Sequence, residues 1–239
     1  MILLLLGQAA SLLTSFTDAL SKLLVLRGFR SVAFQLLIGY FSILTTSLPF
    51  YLKLPGRVNK WRLCLLYSVL DVSATYCVVF GIRYTSVASV KLLSCMTLMV
   101  CILLSYLFFK VVLSCRHYVG IFIALLGVLF LILNEQESSV APRPLLGDFL
   151  VLTGAALYGV CNVFQEYYIK EAPIVEFCFS VGCCGSLVTF IIVITTELGS
   201  LRTFHFSPVA LVFFALYGIT IACSYVLIPF VVSKKGATF

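Results

Sequence analysis

The sequence predicts an all-α, polytopic membrane protein of about eight transmembrane helices with almost nothing outside the bilayer, and three observations carry that expectation. Of its 239 residues 62% are hydrophobic and 10% charged, with a mean hydropathy of +1.15, whereas a soluble domain has about 25% charged and 45–50% apolar residues. The apolar residues fall into runs of about 20, the length that crosses a hydrocarbon core. At that length the chain holds roughly eight spans joined by short loops, which leaves no room for a catalytic globular domain.

Charge, proline and glycine interruptions set the spans in order. The first runs near Ile2 to Leu26. Its leucine run lacks the positive n-region of a signal peptide and continues past a short h-region, so it reads as a membrane helix. The next four lie near Ser31 to Leu52, Trp61 to Ile82, Ser86 to Phe109 and Tyr118 to Leu133. Three more follow near Phe149 to Ile169, Val175 to Thr196 and Pro208 to Val232. Gly120 and Gly127, seven apart in the fifth span, predict a close helix contact.

The formal net charge of +7 does not point to nucleic acid, because the basic residues are scattered between apolar runs and form no continuous face. They read as membrane-edge anchors. With a cytoplasmic N-terminus, the inner segments carry Lys53, Arg57, Lys60, Arg62, Lys110, Arg116, Lys170, Lys234 and Lys235, against Arg27, Arg30, Arg83, Arg143 and Arg202 outside. The excess predicts both termini in the cytoplasm. Ten cysteines, mostly inside apolar runs and with no C-x-x-C pair, read as small packing residues. No Walker loop, H-E-x-x-H or G-x-S-x-G occurs, so the sequence implies no enzyme and no bound cofactor.

An internal repeat is visible. Ser73 to Val79 in the third span aligns with Ala222 to Ile228 in the eighth, and a Gly-Ala stretch recurs at Gly7 to Ala10 and Gly154 to Ala156. Pairing span one with six and three with eight is the order of two five-helix repeats, and an odd number of spans inverts the second copy. The expected organisation is a first repeat over residues 1–134, a connector over 135–147 and three helices of a second repeat over 148–239. On this plan Lys234 to Phe239 corresponds to Thr85 to Val90, where a fourth helix begins. A truncated, non-transporting membrane protein or fragment is therefore the competing reading.

Polar residues within the spans mark the candidate site. Asp71 lies about ten residues into its span, where a charge costs on the order of 3 kcal/mol on insertion scales. Ser68 and Thr75 share its helix face. That face suits a solute or proton site, or an aspartate held by hydroxyls for packing alone. Lys91 is the tempting partner, but counting depth along the two helices leaves a gap of roughly 9 Å from Asp71, which tilt or a water would have to bridge. A cation in the cavity would attract a phosphate or carboxylate; a shallow one snorkels outward.

Ala155, Tyr158, Asn162, Gln165 and Glu166 form a stripe in the sixth span that suits a polar solute with a ring, Glu166 lying nearest the inner surface. Tyr217, Thr220 and Ser224 form another in the eighth, with Tyr225 beside it, the repeat counterpart of Tyr76. Asp18 and Lys22, spaced i, i+4, read as a mutually neutralising pair. Spans two, five and seven, more uniformly apolar, are expected to pack outside the site. The candidate substrate-binding set is Asp71, Thr75, Tyr76, Lys91, Tyr158, Asn162 and Tyr225.

The run Gly147 to Tyr158, followed by Asn162, Val163, Glu166 and Tyr167, resembles the sixth-helix signature of solute carrier family 35, F subgroup. Asp71, Ala74 and Tyr76, then Tyr84, Thr85, Ser86, Ser89, Val90, Leu92 and Leu93, look like its third and fourth helices, although Lys91 and Ser94 stand where that pattern has Gln and Asp. The resemblance implies the drug/metabolite transporter superfamily, with ten helices in two inverted repeats and relatives that move nucleotide sugars. The expectation is a secondary carrier that moves a small polar solute, nucleoside- or nucleotide-like, through a lipid bilayer by alternating access. Pairing with a second copy or a relative is compatible with it.

Overall fold

The structure, a computed structural model, describes residues 2–55, 60–109, short stretches within 118–130, residues 143–202, 204 and 207–235. Its elements are helical throughout the described residues: α1 (Ile2–Leu26), α2 (Val32–Leu52), α3 (Trp61–Gly81), α4 (Val87–Ser94), α5 (Met96–Phe109), α6 (Pro144–Glu171), α7 (Ile174–Ile192), a π turn (Val193–Glu197), α8 (Leu198–Arg202) and α9 (Pro208–Lys235). Seven helical segments among the described residues are long and apolar enough to cross a membrane. In an apolar solvent only a helix satisfies its own backbone, so these runs can span a bilayer in no other single-segment form. The chain is an integral, multi-pass membrane protein.

Local chemistry sets the ends. Ser31 caps α2 by accepting from the Phe34 N–H, and Ser86 caps α4 by accepting from the Ser89 N–H. Gly28, at φ +84°, makes the turn out of α1 that lets α2 fold back. Pro144 stands in the first turn of α6, where its missing N–H costs nothing, so the helix begins five residues before the expected Phe149. The expected fourth span is broken at Cys95 into α4 and α5, and the seventh gains a π turn at its end. Most of the predicted connector and part of the fifth span, Tyr118 to Leu133, lie outside the described residues.

The packing is dominated by α2 against α7, α3 against α6, and α1 against α9, with α2–α9, α5–α6 and α3–α7 next. The largest buried cluster draws Val32, Leu36, Tyr40 and Ile43 from α2, Tyr67, Val72 and Val79 from α3, and Phe177, Cys178 and Val181 from α7. Spans two and seven thus pack tightly against each other and against α3, and neither lines the central cavity, in line with the expectation that they lie outside the site. Small residues explain the seam: a side chain at Gly182 would stand 2.7 Å from the Leu44 backbone nitrogen, closer than a Cβ can sit, so glycine is what lets α7 reach α2. Gly154 does the same for α6 against the Ala74 carbonyl of α3, at 2.9 Å. Gly120 and Gly127, by contrast, have nothing within 4 Å of an added Cβ. The predicted close contact there is not formed with any described residue.

Candidate functional site

A cavity of about 340 Å³ lies within the bundle, lined by α1, α3, α4, the start of α5, α6 and α9. That volume is at the small end of the range for small-molecule sites, about 300–1,000 Å³. Of the candidate residues, Asp71, Thr75, Lys91, Tyr158, Asn162 and Tyr225 line it together. Tyr76 does not. Its hydroxyl donates instead to Glu197 Oε1 at 3.0 Å, outside the cavity. The reason is rotational: one residue beyond Thr75 the helix has turned by about 100°.

Asp71 is 1% exposed and its carboxylate is held by two phenols. Tyr40 Oη of α2 donates to Oδ2 at 2.9 Å, and Tyr225 Oη of α9 donates to the same oxygen. Both donors act on one oxygen, and Asp71 is among the residues that line the cavity. Hydrogen bonds to the charged form offset the loss of water around a buried carboxylate. Thr75 donates its hydroxyl to the Asp71 backbone carbonyl at 2.7 Å, and its oxygen lies 2.7 Å from Tyr158 Oη. A hydroxyl has one hydrogen, so Tyr158 is the donor in that contact. The chain Tyr158, Thr75, Asp71 thus ties α6 to α3 across the site. Ser68, on the same α3 face, is buried and lines no part of the cavity.

The Asp18–Lys22 pairing differs from expectation, while Lys91 stays off Asp71 as the depth count implied. Lys91 Nζ lies 2.7 Å from Asp18 Oδ2 and 3.5 Å from Thr14 Oγ1, so it pairs with α1 and not with Asp71. Lys22 turns away from Asp18 and donates to the carbonyls of Ile82 at 2.6 Å and Thr85 at 3.0 Å. The i, i+4 rule gave way because the turn between α3 and α4 offers the lysine two backbone carbonyls, those of Ile82 and Thr85. Lys91 stands in the last turn of α4, where the helix dipole favours a cation.

Sequence reasoning missed Tyr40, which no stripe marks because its helical neighbours Leu36, Leu37, Ile43 and Leu44 are all apolar. Its signal was that a buried phenol needs a partner. It also missed Glu197, which is 8% exposed and accepts from Ser31 Oγ at 2.5 Å, the Ala33 N–H at 2.8 Å and Tyr76. Three donors from α2 and α3 converge on one carboxylate because the π turn rotates it inward.

Three comparisons bear on identity. The mouse protein named solute carrier family 35 member F2 is 31% identical over 184 residues, which cover 75% of this chain and 49% of that protein. The Xenopus tropicalis protein of the same name is 35% identical over 136 residues, covering 54% of this chain and 35% of its own length. An uncharacterized solute carrier family 35 member of Schizosaccharomyces pombe is 25% identical over 247 residues, covering 98% of this chain and 48% of its own length. The chain thus spans about half the length, or less, of these relatives. All of residues 1–239 match the family described as SLC35F, solute carrier family 35, and with the apolar helical bundle around a polar cavity this places the chain in the F subgroup of that family.

Proposed function

We propose that this chain moves a small, polar, ring-bearing solute across a membrane by alternating access around the Asp71 cavity. The observation that carries the reading is the buried Asp71 carboxylate, fixed by phenols of α2 and α9 in the lining of a cavity of about 340 Å³. An ionisable side chain inside a membrane bundle is a default mark of a solute or ion pathway. Four tyrosines, Tyr67, Tyr158, Tyr217 and Tyr225, line the same space. They supply apolar faces for a ring and hydroxyls for its polar edge.

The charges narrow the class. Asp18 and Lys91 neutralise each other, which leaves Asp71 as the unmatched charge of the lining. A phosphate would meet a carboxylate and no free cation, so a nucleoside-like solute fits better than a nucleotide. The expectation that Lys91 attracts a phosphate is replaced by this reading.

The packing supports two inverted repeats over residues 1–134 and 148–239. Exchanging span one with six, two with seven and three with eight turns the α1–α9 contact into α6–α3, turns α2–α9 into α7–α3, and leaves α2–α7 unchanged. A pseudo-twofold axis through the α2–α7 seam is the arrangement in which one half rocks against the other. The positive-inside count puts both termini in the cytoplasm.

The test is uptake of a panel of labelled solutes by vesicles carrying the wild-type chain or Asp71→Asn, which keeps shape and removes charge. At least a tenfold loss for one solute in the variant, with equal protein in the membrane, is the expected outcome. Equal uptake by the two proteins across the panel would count against Asp71 as the site.

A further inference from the structure

Gln165, in α6, is 4% exposed and lines the cavity. Its amide nitrogen, Nε2, is buried without a hydrogen-bond partner. At the other end of the amide, Tyr67 Oη approaches Oε1 to 3.5 Å, longer than a strong O–H···O bond. Tyr67 is itself held edge-on against Phe177, with ring centroids 5.0 Å apart. The amide thus has its acceptor toward a fixed phenol and two N–H groups left unpaired, on a residue of the cavity wall. A buried donor left unpaired costs more than an apolar side chain of the same shape, so packing alone does not account for glutamine at this position. Asn162 lines the same wall one turn earlier, and the Tyr158 ring one turn before that.

We propose that Gln165 is a specificity-determining residue. Its amide N–H groups donate to a carbonyl-type acceptor on the ring of the solute, while the tyrosines hold the ring faces and Asp71 accepts from a donor elsewhere on the molecule. This rests on the reading of the cavity as a solute site and adds the ring chemistry that the site selects. A cavity lined by an unpaired amide donor and by a carboxylate selects for a solute carrying both an acceptor and a donor. A site built to hydrogen-bond its ligand rejects an isostere that lacks the partner atom, because the protein group is then left unpaired.

The experiment uses the full chain, purified in detergent, as wild type, Gln165→Leu and Gln165→Glu. Each is titrated calorimetrically with uridine, whose ring carries two carbonyls, and with the phenyl riboside of the same shape, which carries none. The wild type should prefer uridine about tenfold. Both variants should bring the two probes within about twofold of each other, with phenyl riboside affinity unchanged. Gln165→Glu keeps the shape and exchanges the amide N–H groups for a carboxyl oxygen, so it guards against a repacking artefact in the leucine variant. In the absence of probe, Gln165→Leu should melt no lower than the wild type, since it removes an unpaired donor.

A uridine preference that survives in both variants, or a Gln165→Leu protein that melts well below wild type with its preference intact, would show the residue to be structural. A wild type that binds neither probe, or binds both equally, overturns the ring-acceptor assignment while the Asp71 uptake panel still decides transport. Uridine binding that depends on Gln165, without uptake of any solute, would uphold the specificity role and sink the transport reading alone.

Discussion

At the scale of single residues, pairing decided what each charge does. Asp18 could meet Lys22 one turn away or Lys91 on another helix, and the structure chooses the second at 2.7 Å. Asp18 and Lys91 retain 19% and 34% side-chain exposure, so the pair is partly wet and worth less than a fully buried one. Replacing Lys91 by Met should destabilise the protein by about 1–2 kcal/mol, because an unpaired carboxylate stays behind in the bundle. Adding Asp18→Asn should recover most of that loss. A thermal-melt double-mutant cycle in detergent reads the coupling directly, and additive losses would mean that the contact contributes nothing. The site's central aspartate was legible from depth in its span and from the hydroxyls at i−3 and i+4. Its phenol partners were not, since Tyr40 and Tyr225 come from helices whose rotation is fixed only by tertiary packing.

At the scale of elements, the spans followed from apolar run length, while their interruptions did not. The break at Cys95 and the π turn at Val193–Glu197 change the hydrogen-bond step over a few residues, and no composition signal accompanies either. That α2 and α7 build the main seam was illegible, although their place outside the cavity lining was not, because a span that is apolar all round can face lipid or protein equally well. The small residues of α7 held the answer. Gly182 sits against the Leu44 backbone, so Gly182→Ala should cost about 1–3 kcal/mol by forcing α7 off α2. Gly7→Ala, where an added Cβ meets nothing within 4 Å, should be neutral or slightly stabilising. Melting both variants beside wild type checks the pair, and equal midpoints would place the α2–α7 seam elsewhere.

At the scale of the whole molecule, the polar ties between helices gather at one end of the bundle, where α1 and α3 stop and α2 and α6 start. Lys22 of α1 holds the Ile82 and Thr85 carbonyls, Thr85 Oγ1 donates to Asp148 Oδ1 of α6 at 2.8 Å, and Glu197 gathers Ser31, Ala33 and Tyr76. At the opposite end, Lys60 pairs with Glu171 and Tyr51 stacks on Phe179. On the proposed alternating-access reading, opening at one end requires that end's ties to break, and in this structure the Lys22 end is tied. If the ties set the balance between states, removing them moves the population by their differential free energy. The double variant Lys22→Met and Thr85→Val loses three hydrogen bonds, on the order of 2–3 kcal/mol if each is worth about 1. That is enough to shift the equilibrium by at least tenfold. A Ser21→Cys reporter on the cavity wall, with the exposed Cys95, Cys183 and Cys223 changed to serine, should then react about tenfold faster with a membrane-impermeant maleimide. An unchanged rate in the variant would make the ties scaffolding and leave the opening motion to the other end.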